Sequence, residues 1–419
     1  MSSGTAIRPA EMTDLMKGND RMKHIVVGVT GGIAAFKACQ MVSDLSKKYE
    51  VQVIMTQNAM NFIHPLTFET LTGRKCLIDT FDRNFNYEVE HISVAKWADV
   101  FVVAPATANV IAKFAHGLAD DMLTTTFLAC KAPKVIAPAM NTNMYENPVT
   151  QENMDKLRSL GMHLVDAASG LLACGDTGKG KMADIDVIEE AIEMALCADK
   201  PLAGKKVLVT AGPTMESMDP VRYITNHSTG KMGFEVAQAA RNLGAEVTLV
   251  TGKTALKKPY GIETIDVKSA GDMFEAVTSR SAECDYIVMS AAVADYTPAV
   301  TADEKMKKKD DDLSIALVRT KDILKTLGER KTPNQVLCGF AMETQNLLEN
   351  ARKKLESKNA DMIVANNLKV AGAGFAHDTN VATFILKEGL VENPLQTKED
   401  LAYVIWEQLV KIRAEKGID

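Results

Sequence analysis

The parts of this chain whose residue types and spacing could do chemistry are glycine-rich turns behind apolar runs, each followed by a polar cluster. They occur twice. Residues 25–35 read IVVGVTGGIAA, and Pro138, Ala139, Met140 and Asn141 echo them downstream. Residues 207–214 read VLVTAGPT and are followed by Asn226, His227, Ser228, Thr229, Gly230 and Lys231. A glycine turn that opens a helix offers backbone N–H groups and the positive end of a helix dipole to a phosphate. A tight turn needed only for packing would use the same glycines. Two nucleotide-type sites in one polypeptide imply two consecutive reactions.

Neither start spells a dinucleotide fingerprint. Gly28, Gly31 and Gly32 are wrongly spaced for G-x-G-x-x-G, and Thr56, not an acidic residue, ends the next apolar run. An ordinary NAD dehydrogenase is disfavoured, and a mononucleotide such as FMN suits the turn better. Residues 175–181 (GDTGKGK) approach a P-loop, but Met182 stands where a magnesium-binding hydroxyl is needed and no strand precedes them. A flap over a site, or a structural loop, is the better reading.

The elements that must position these residues form an α/β pattern. Short apolar runs at 25–29, 51–55, 100–104 and 135–137 read as strands of the first half. Those at 207–210, 247–251, 286–290, 336–340 and 362–365 read as strands of the second. Helix-period stretches alternate with them, as in parallel sheets covered on both faces. Ligands of such sheets bind beyond the carboxyl ends of the strands. A helix beginning near Asp186 runs out around Ala198, and Pro201 and Gly204 break the chain between the halves.

At 419 residues the chain exceeds one ordinary core, and two domains are the starting count. The balance of 48 basic against 54 acidic residues disfavours nucleic acid or an anionic membrane as a general partner. No apolar run reaches a membrane span and the first twenty residues lack a signal-peptide core, which places the protein in the cytoplasm. Seven scattered cysteines carry no zinc-site spacing and read mostly as buried small hydrophobes.

Residues 30–37 (TGGIAAFK), 91–99 (HISVAKWAD), 104–109 (APATAN), 138–144 (PAMNTNM) and 173–175 (ACG) together resemble the flavin-dependent cysteine decarboxylases. Residues 211–214, 219–224 (DPVRYI), 226–231, 291–296 and 305–308 resemble phosphopantothenate-cysteine ligase. In this order on one chain, the pair resembles the bacterial bifunctional phosphopantothenoylcysteine decarboxylase/phosphopantothenate-cysteine ligase family of coenzyme A biosynthesis. The likeness runs from about Lys23 to the C-terminal region. It implies two Rossmann-like or flavodoxin-like parallel-sheet domains: residues 1–22 as a disordered extension, 23–198 as the FMN-dependent decarboxylase, 199–204 as a linker and 205–419 as the ligase.

The resemblance also implies roles. Loss of CO2 from a cysteinyl carboxylate needs an electron sink that a flavin can create. In the family, FMN oxidises the thiol to a thioaldehyde whose conjugation takes up the electrons, and the reduced flavin returns them. His91 matches the active-site histidine, Asn141 the asparagine gripping the departing carboxylate, and Cys174 the flap cysteine that returns a proton. Without the resemblance these would be a structural histidine, a helix N-cap and a buried thiol. FMN is expected on Gly31, Gly32, Thr56, Thr107 and Asn109. Where the family commonly has Trp, this chain has Tyr145, expected in the pocket wall.

The ligase half is expected to activate the 4'-phosphopantothenate carboxylate as an acyl-cytidylate before cysteine attacks, with Mg2+ and lysines meeting the charge. Lys305 matches the catalytic lysine and Asn226 the residue holding the intermediate. Asp295, Phe340, Lys354 and Lys358 match positions contacting the nucleotide, and Gly212 at a strand tip allows close backbone approach to its phosphate, although a tight structural turn explains that glycine equally well. CTP is carried over from the fused arrangement, as is a dodecamer built from decarboxylase trimers and ligase dimers. A flavin-fold regulatory or binding protein without turnover is the competing reading.

Overall fold

The computed structural model of the chain describes residues 22–82, 89–171, 175, 177–307, 314–343, 347–367 and 377–418. They separate into two compact units that part between Ala198 and Asp199. Residues 1–21, expected to be a disordered extension, lie outside the described residues.

The first unit runs β1 (His24–Val29), α1 (Ala35–Leu45), β2 (Glu50–Met55), α2 (Pro65–Thr72), α3 (Glu90–Trp97), β3 (Val100–Ala106), α4 (Ala108–His116), α5 (Met122–Ala129) and β4 (Lys134–Pro138). It continues with α6 (Thr142–Glu146), α7 (Pro148–Ser159), β5 (His163–Leu164), β6 (Ala168–Leu171), β7 (Thr177–Lys181) and α8 (Ile185–Leu196). The sheet is parallel, in the order β2-β1-β3-β4-β5. Every residue of β1 and β3 is buried, which is why their sequences are continuous apolar runs and not alternating ones. Helices cover both faces, and each fully buried Val or Ile contributes about 1.5–3 kcal/mol. Strands β6 and β7 form a separate antiparallel hairpin.

The second unit runs β8 (Lys206–Ala211), β9 (Met215–Ser217), β10 (Tyr223–Thr225), α9 (Lys231–Asn242), β11 (Glu246–Thr251), β12 (Glu263–Asp266), α10 (Ala270–Thr278), β13 (Tyr286–Met289), β14 (Tyr296–Pro298) and β15 (Leu317–Arg319). There follow α11 (Ile323–Arg330), β16 (Val336–Glu343), α12 (Leu347–Ser357), β17 (Met362–Asn367), β18 (Thr379–Asn380), β19 (Ala382–Leu386), β20 (Leu390–Glu392), β21 (Gln396–Thr397) and α13 (Lys398–Glu415). Its main sheet has the order β12-β11-β8-β13-β16-β17-β19-β20. The pairings are parallel up to β17 and antiparallel beyond it. Strand order reverses between β8 and β13, the position where doubly wound sheets open a crevice for ligands. Two short antiparallel pairs, β9 with β10 and β14 with β15, stand outside this sheet.

The stretch expected to be a linker is seated on the second unit: Leu202 is fully buried and its N–H donates to the Leu243 carbonyl at 3.0 Å. Helix α13 is fastened to α9 by the Trp406 indole N–H, which donates to the Val236 carbonyl at 2.8 Å, and by Asn242 Nδ2, which donates to the Tyr403 hydroxyl at 2.9 Å.

Candidate functional site

A cavity of about 470 Å3 opens in the first unit beyond the ends of β1, β3 and β4. Gly31, Gly32, Ile33 and Ala34 bring the start of α1 to its wall, Thr107 comes from the turn after β3, and Met140 and Asn141 from the turn after β4. The β6–β7 hairpin adds Leu171, Gly180 and Lys181. Gly180 is held at φ +138° with its carbonyl accepting the Met140 N–H at 2.9 Å, and a Cβ there would lie 2.4 Å from the Met140 carbonyl oxygen. The hairpin therefore grips the backbone immediately before Asn141.

The residues on this wall suit a phosphorylated, largely apolar ring. Helix α1 has Ala34 as its N-cap with no side-chain cap; the N–H groups of Ala35, Phe36 and Lys37 donate to the Gly32, Ile33 and Ala34 carbonyls, so what the helix start brings to the cavity is the positive end of its dipole. A Cβ on Gly32 would meet only Thr107 Cγ2, at 3.8 Å, so the approach is open. At the tip of β2, the Thr56 hydroxyl is buried without a hydrogen-bond partner, as is that of Thr142. Gly31 has a packing reason as well, since a Cβ there would lie 2.5 Å from Asn58 Cβ.

Asn141 is both N-cap and wall residue: its Oδ1 accepts the Asn143 N–H at 2.9 Å. With the oxygen so engaged, the amide's donors are its Nδ2 hydrogens, the polarity a carboxylate needs. The two readings of this residue are thus compatible. Thr56 and Asn109 are not on the cavity wall, and Asn109 is exposed on α4. His91 sits half-buried on α3, likewise off this wall. Tyr145 is not a wall residue, contrary to expectation: it is 4% exposed in the apolar core, and Met144 faces the cavity instead. Cys174 lies outside the described residues.

The second unit carries a cavity of about 510 Å3 at the reversal of strand order. Its wall brings together Asn226, Asp295, Phe340 and Lys354 with the start of α9 (Gly230, Lys231) and the tip of β13 (Ser290, Ala291). Asn226 Nδ2 donates to the Ala292 and Val293 carbonyls at 3.1 and 3.4 Å, so the side chain is fixed across the cavity floor. Lys354 Nζ donates to the Phe340 carbonyl at 2.8 Å. Asn366, at the tip of β17, is on the same wall; sequence reasoning missed Asn380 and Lys398 there, because neither sits in a motif or at the tip of an apolar run.

Three expected nucleotide residues stand apart. Lys358 is one turn beyond Lys354, but its Nζ donates to Asp322 Oδ2 at 2.5 Å, at the N-cap of α11. Gly212, at φ +71°, packs against the Gly230 turn: a Cβ on Gly230 would lie 3.2 Å from Gly212 Cα, so close packing accounts for this glycine. Lys305 is exposed and off the wall, and its neighbour Met306 is what the fold holds. The Met306 N–H donates to Asp219 Oδ2 at 3.1 Å, and Arg222 Nη2 donates to the Met306 carbonyl at 2.5 Å. Burial alone would raise the Asp219 carboxyl. Hydrogen bonds from the Arg222 side chain and from the N–H groups of Val221, Arg222 and Met306 instead hold it well below the usual carboxylate range.

Among the described residues no group of three or more His, Cys, Asp or Glu side chains is placed to hold a metal ion, and no helix is long and apolar enough to cross a membrane.

Residues 14–196 match the family described as flavoprotein, and residues 202–412 the family described as DNA/pantothenate metabolism flavoprotein C-terminal domain. The chain is 46% identical over 400 residues to the coenzyme A biosynthesis bifunctional protein CoaBC of Bacillus subtilis (strain 168), covering 94% of this chain and 98% of that one. It is 44% identical over 390 residues to the CoaBC protein of Vibrio cholerae serotype O1, covering 91% and 96%. A cysteine/cysteine sulfinic acid decarboxylase from an unknown prokaryotic organism is 44% identical over 346 residues, covering 81% and 96%.

Proposed function

Because the chain belongs to the family of bifunctional coenzyme A biosynthesis proteins, a phosphopantothenate-cysteine ligase joined to a phosphopantothenoylcysteine decarboxylase, we propose that its two cavities divide these steps between them. The cavity of the second unit joins 4'-phosphopantothenate to cysteine, and that of the first unit decarboxylates the product to 4'-phosphopantetheine. The observation that carries this reading is the gathering of Asn226, Asp295, Phe340 and Lys354 on one wall and of Gly31, Gly32, Thr107 and Asn141 on another.

In ligation, an oxygen of the substrate carboxylate attacks the α-phosphorus of CTP and pyrophosphate leaves. The cysteine amine then attacks the acyl carbon, and CMP leaves. Lys305 brings an ammonium to the oxygens that gain charge, on a segment anchored through Asp219. Asn226, fixed by two carbonyls, orients the acyl group. Magnesium would be held largely by the triphosphate and water.

In decarboxylation, FMN would be held at the start of α1, where the helix dipole is positive and Gly32 leaves the approach open. When bound, it supplies the reversible two-electron oxidation that a side chain cannot. Asn141 holds the carboxylate by hydrogen bonds without the pairing an Arg would make, which would oppose loss of its charge. Cys174 remains the proton donor implied by its motif. His91 is off the wall of its own cavity, on a helix whose outer side has a hollow lined by Val89, Ile92, Ser93, Lys96 and Trp97. We place it at the cavity of a neighbouring copy. A trimer about the first unit would allow this, and the exposed apolar residues Val221, Tyr223, Tyr296, Leu317 and Val318 support pairing about the second. The site of action is the cytoplasm.

Mass spectrometry after mixing the protein with 4'-phosphopantothenate, cysteine, magnesium and either CTP or ATP tests this. Phosphopantetheine formed with CTP is expected. Accumulation of phosphopantothenoylcysteine would leave only the ligase, and absence of product with either nucleotide would bring the binding-protein reading forward.

A further inference from the structure

Two buried amides on the wall of the ligation cavity, Asn366 and Asn380, form a relay whose direction is set by the backbone. The Val381 N–H donates to the Asn380 side chain at 3.0 Å. A backbone N–H can only donate, so the atom that meets it is Oδ1, and the Asn380 Nδ2 points the other way. That Nδ2 donates to Asn366 Oδ1 at 3.1 Å. The Asn366 oxygen is thereby taken. Among the described residues nothing accepts from Asn366 Nδ2, which is open to the cavity.

The fold holds both residues where the relay needs them. Asn366 of β17 pairs with Ala382 of β19, two residues beyond Asn380, and Asn380 ends β18, which pairs with β21. On the other side of Asn366, Met342 of β16 is in register with it, and Phe340 of the same strand also lines the cavity. The polarity of the exposed end matters, because an amide turned round presents an acceptor in place of two donors. A buried donor that faces a donor, or an acceptor that faces an acceptor, costs more than the hydrogen bond it replaces. The Asn366 donor is uncharged and has Phe340 and Met342 beside it, which suits the flat ring of a base. Phosphates are better served by Lys231 and Lys354 on the same wall.

We infer that Asn380 is a positioning residue of the ligation site: it holds the Asn366 amide with its donors toward the nucleotide and so selects an uncharged acceptor, a carbonyl oxygen or ring nitrogen, of the base. This rests on the reading of the second cavity as a nucleotide site. Asn380 acts on the ligand only through Asn366, as a residue that fixes the direction of a binding group does.

The test is a double-mutant cycle on the KM for CTP, with Asn380→Asp, Asn366→Ala and the two combined. A carboxylate at position 380 still takes the Val381 N–H but has nothing to donate, so the Asn366 amide turns over and presents its oxygen to the cavity. KM is expected to rise about tenfold to a hundredfold, the range of one hydrogen bond lost and one buried group left unpaired. The turnover number stays unchanged, as does decarboxylation of supplied phosphopantothenoylcysteine. Asn366→Ala should raise KM by a similar factor, and adding Asn380→Asp to it should raise KM no further, because the amide through which Asn380 acts is gone. Inhibition by inorganic pyrophosphate with magnesium should stay at the wild-type level throughout. An unchanged KM in Asn380→Asp would overturn the positioning role. So would an equal further rise in the Asn366→Ala background, which would show the new charge acting on its own. Pyrophosphate inhibition that weakens in step with KM would overturn the assignment to the base. If Asn380→Asp does not fold, Asn380→Ser, which releases the Asn366 amide without adding a charge, should raise KM in the wild-type background and not in the Asn366→Ala background. Absence of ligation by wild type with any nucleotide would bring down the cavity reading and the relay together, whereas wild-type turnover with unchanged variant KM values overturns the relay alone.

Discussion

Asp219 and Met306, 87 residues apart in sequence, are joined by a hydrogen bond of 3.1 Å from the Met306 N–H to Asp219 Oδ2. This bond fixes the backbone next to Lys305, whose side chain is exposed and has no packing to position it. Asp219→Asn keeps the shape of the turn but removes the charge that Arg222 and three N–H groups converge on. Ligation should fall by about a hundredfold, the cost of a misplaced reacting group, with decarboxylation of supplied phosphopantothenoylcysteine unchanged. Because its folded pKa is depressed, the anchor's contribution is present above the unfolded value of about 3.9 and is lost only as pH falls through the folded one. Ligation at pH 5 should therefore show no loss attributable to this turn. Steady-state assays of each half-reaction across pH decide both points, and equal loss of the two half-reactions would refute the anchoring role.

The two half-reactions should be separable by single substitutions. Asn141→Leu leaves the volume of the side chain but no donor for the carboxylate, so decarboxylation is expected to drop by about 10²–10³-fold with ligation intact. Lys305→Gln should do the reverse. If either folded variant lost both reactions, the assignment of one reaction to each cavity would be wrong.

Placing His91 at a neighbour's cavity predicts complementation. His91→Asn and Asn141→Leu chains are each expected to be inactive in decarboxylation. Mixed by co-expression, they regenerate intact sites wherever one chain supplies His91 and the other Asn141, about a quarter of the sites in a randomly mixed oligomer. Activity of purified mixed oligomers no higher than that of either parent would place His91 elsewhere.

Much of this arrangement was legible in the sequence, for physical reasons. Strands β1, β3, β8 and β13 are buried on both faces, so their apolar runs announce them. The tips of β1, β3 and β4 carry small and polar residues, which is how Gly31, Thr107 and Asn141 could be picked out, whereas Asn226 was marked by its motif. The three buried cysteines Cys76, Cys130 and Cys338 are core residues with thiols pushed up by burial, as their scattered spacing suggested. The β6–β7 hairpin, the short pairs β9–β10 and β14–β15 and the edge strand β20 were not legible, because their few residues are largely exposed or half-exposed and carry no long apolar run. Lys398 escaped notice because a lysine at a helix start looks like a solvated one until the fold buries it. The i, i+4 spacing of Lys354 and Lys358 suggests one helix face, but α12 ends at Ser357 and Asp322 draws Lys358 away.

Gly180 gives the hairpin its hold on Asn141, and Gly180→Ala should break it. An alanine at φ +138° is strained, and its Cβ would have to displace the Met140 carbonyl from 2.4 Å. The Met140–Asn141 backbone is then pushed from the cavity wall. Purified Gly180→Ala protein is expected to retain much less flavin, judged by visible absorbance per chain, and to decarboxylate poorly while still ligating. Full flavin content and full decarboxylation would mean that the hairpin does not shape the site.

The stability of the second unit should depend on Asp361, which is not among the residues lining its cavity. Its carboxylate is 3% exposed and meets Lys331 at 2.9 Å, Lys416 at 2.7 Å and Lys387 at 3.6 Å, with the Leu337 N–H donating at 2.9 Å. Burial would raise its pKa, but Lys416, the Leu337 N–H and Lys331 more than offset this and hold it below the usual range. Asp361→Asn leaves the buried Lys331 ammonium without its counter-charge, a loss of about 3–5 kcal/mol. Lys331→Met in the same chain removes that uncompensated charge and should recover much of it, since replacing both partners of a buried pair is far less costly than breaking it. The folded pKa of Asp361 is depressed, so its contribution is fully present above the unfolded value of about 3.9 and declines as pH falls below that. Urea unfolding followed by the buried Trp406 in a Trp97→Phe background reports this unit alone, since the chain has two tryptophans. Wild type should lose stability steeply below about pH 4. Asp361→Asn should start lower and fall less steeply, and parallel curves for the two proteins would show that the carboxylate is not what the three lysines stabilise.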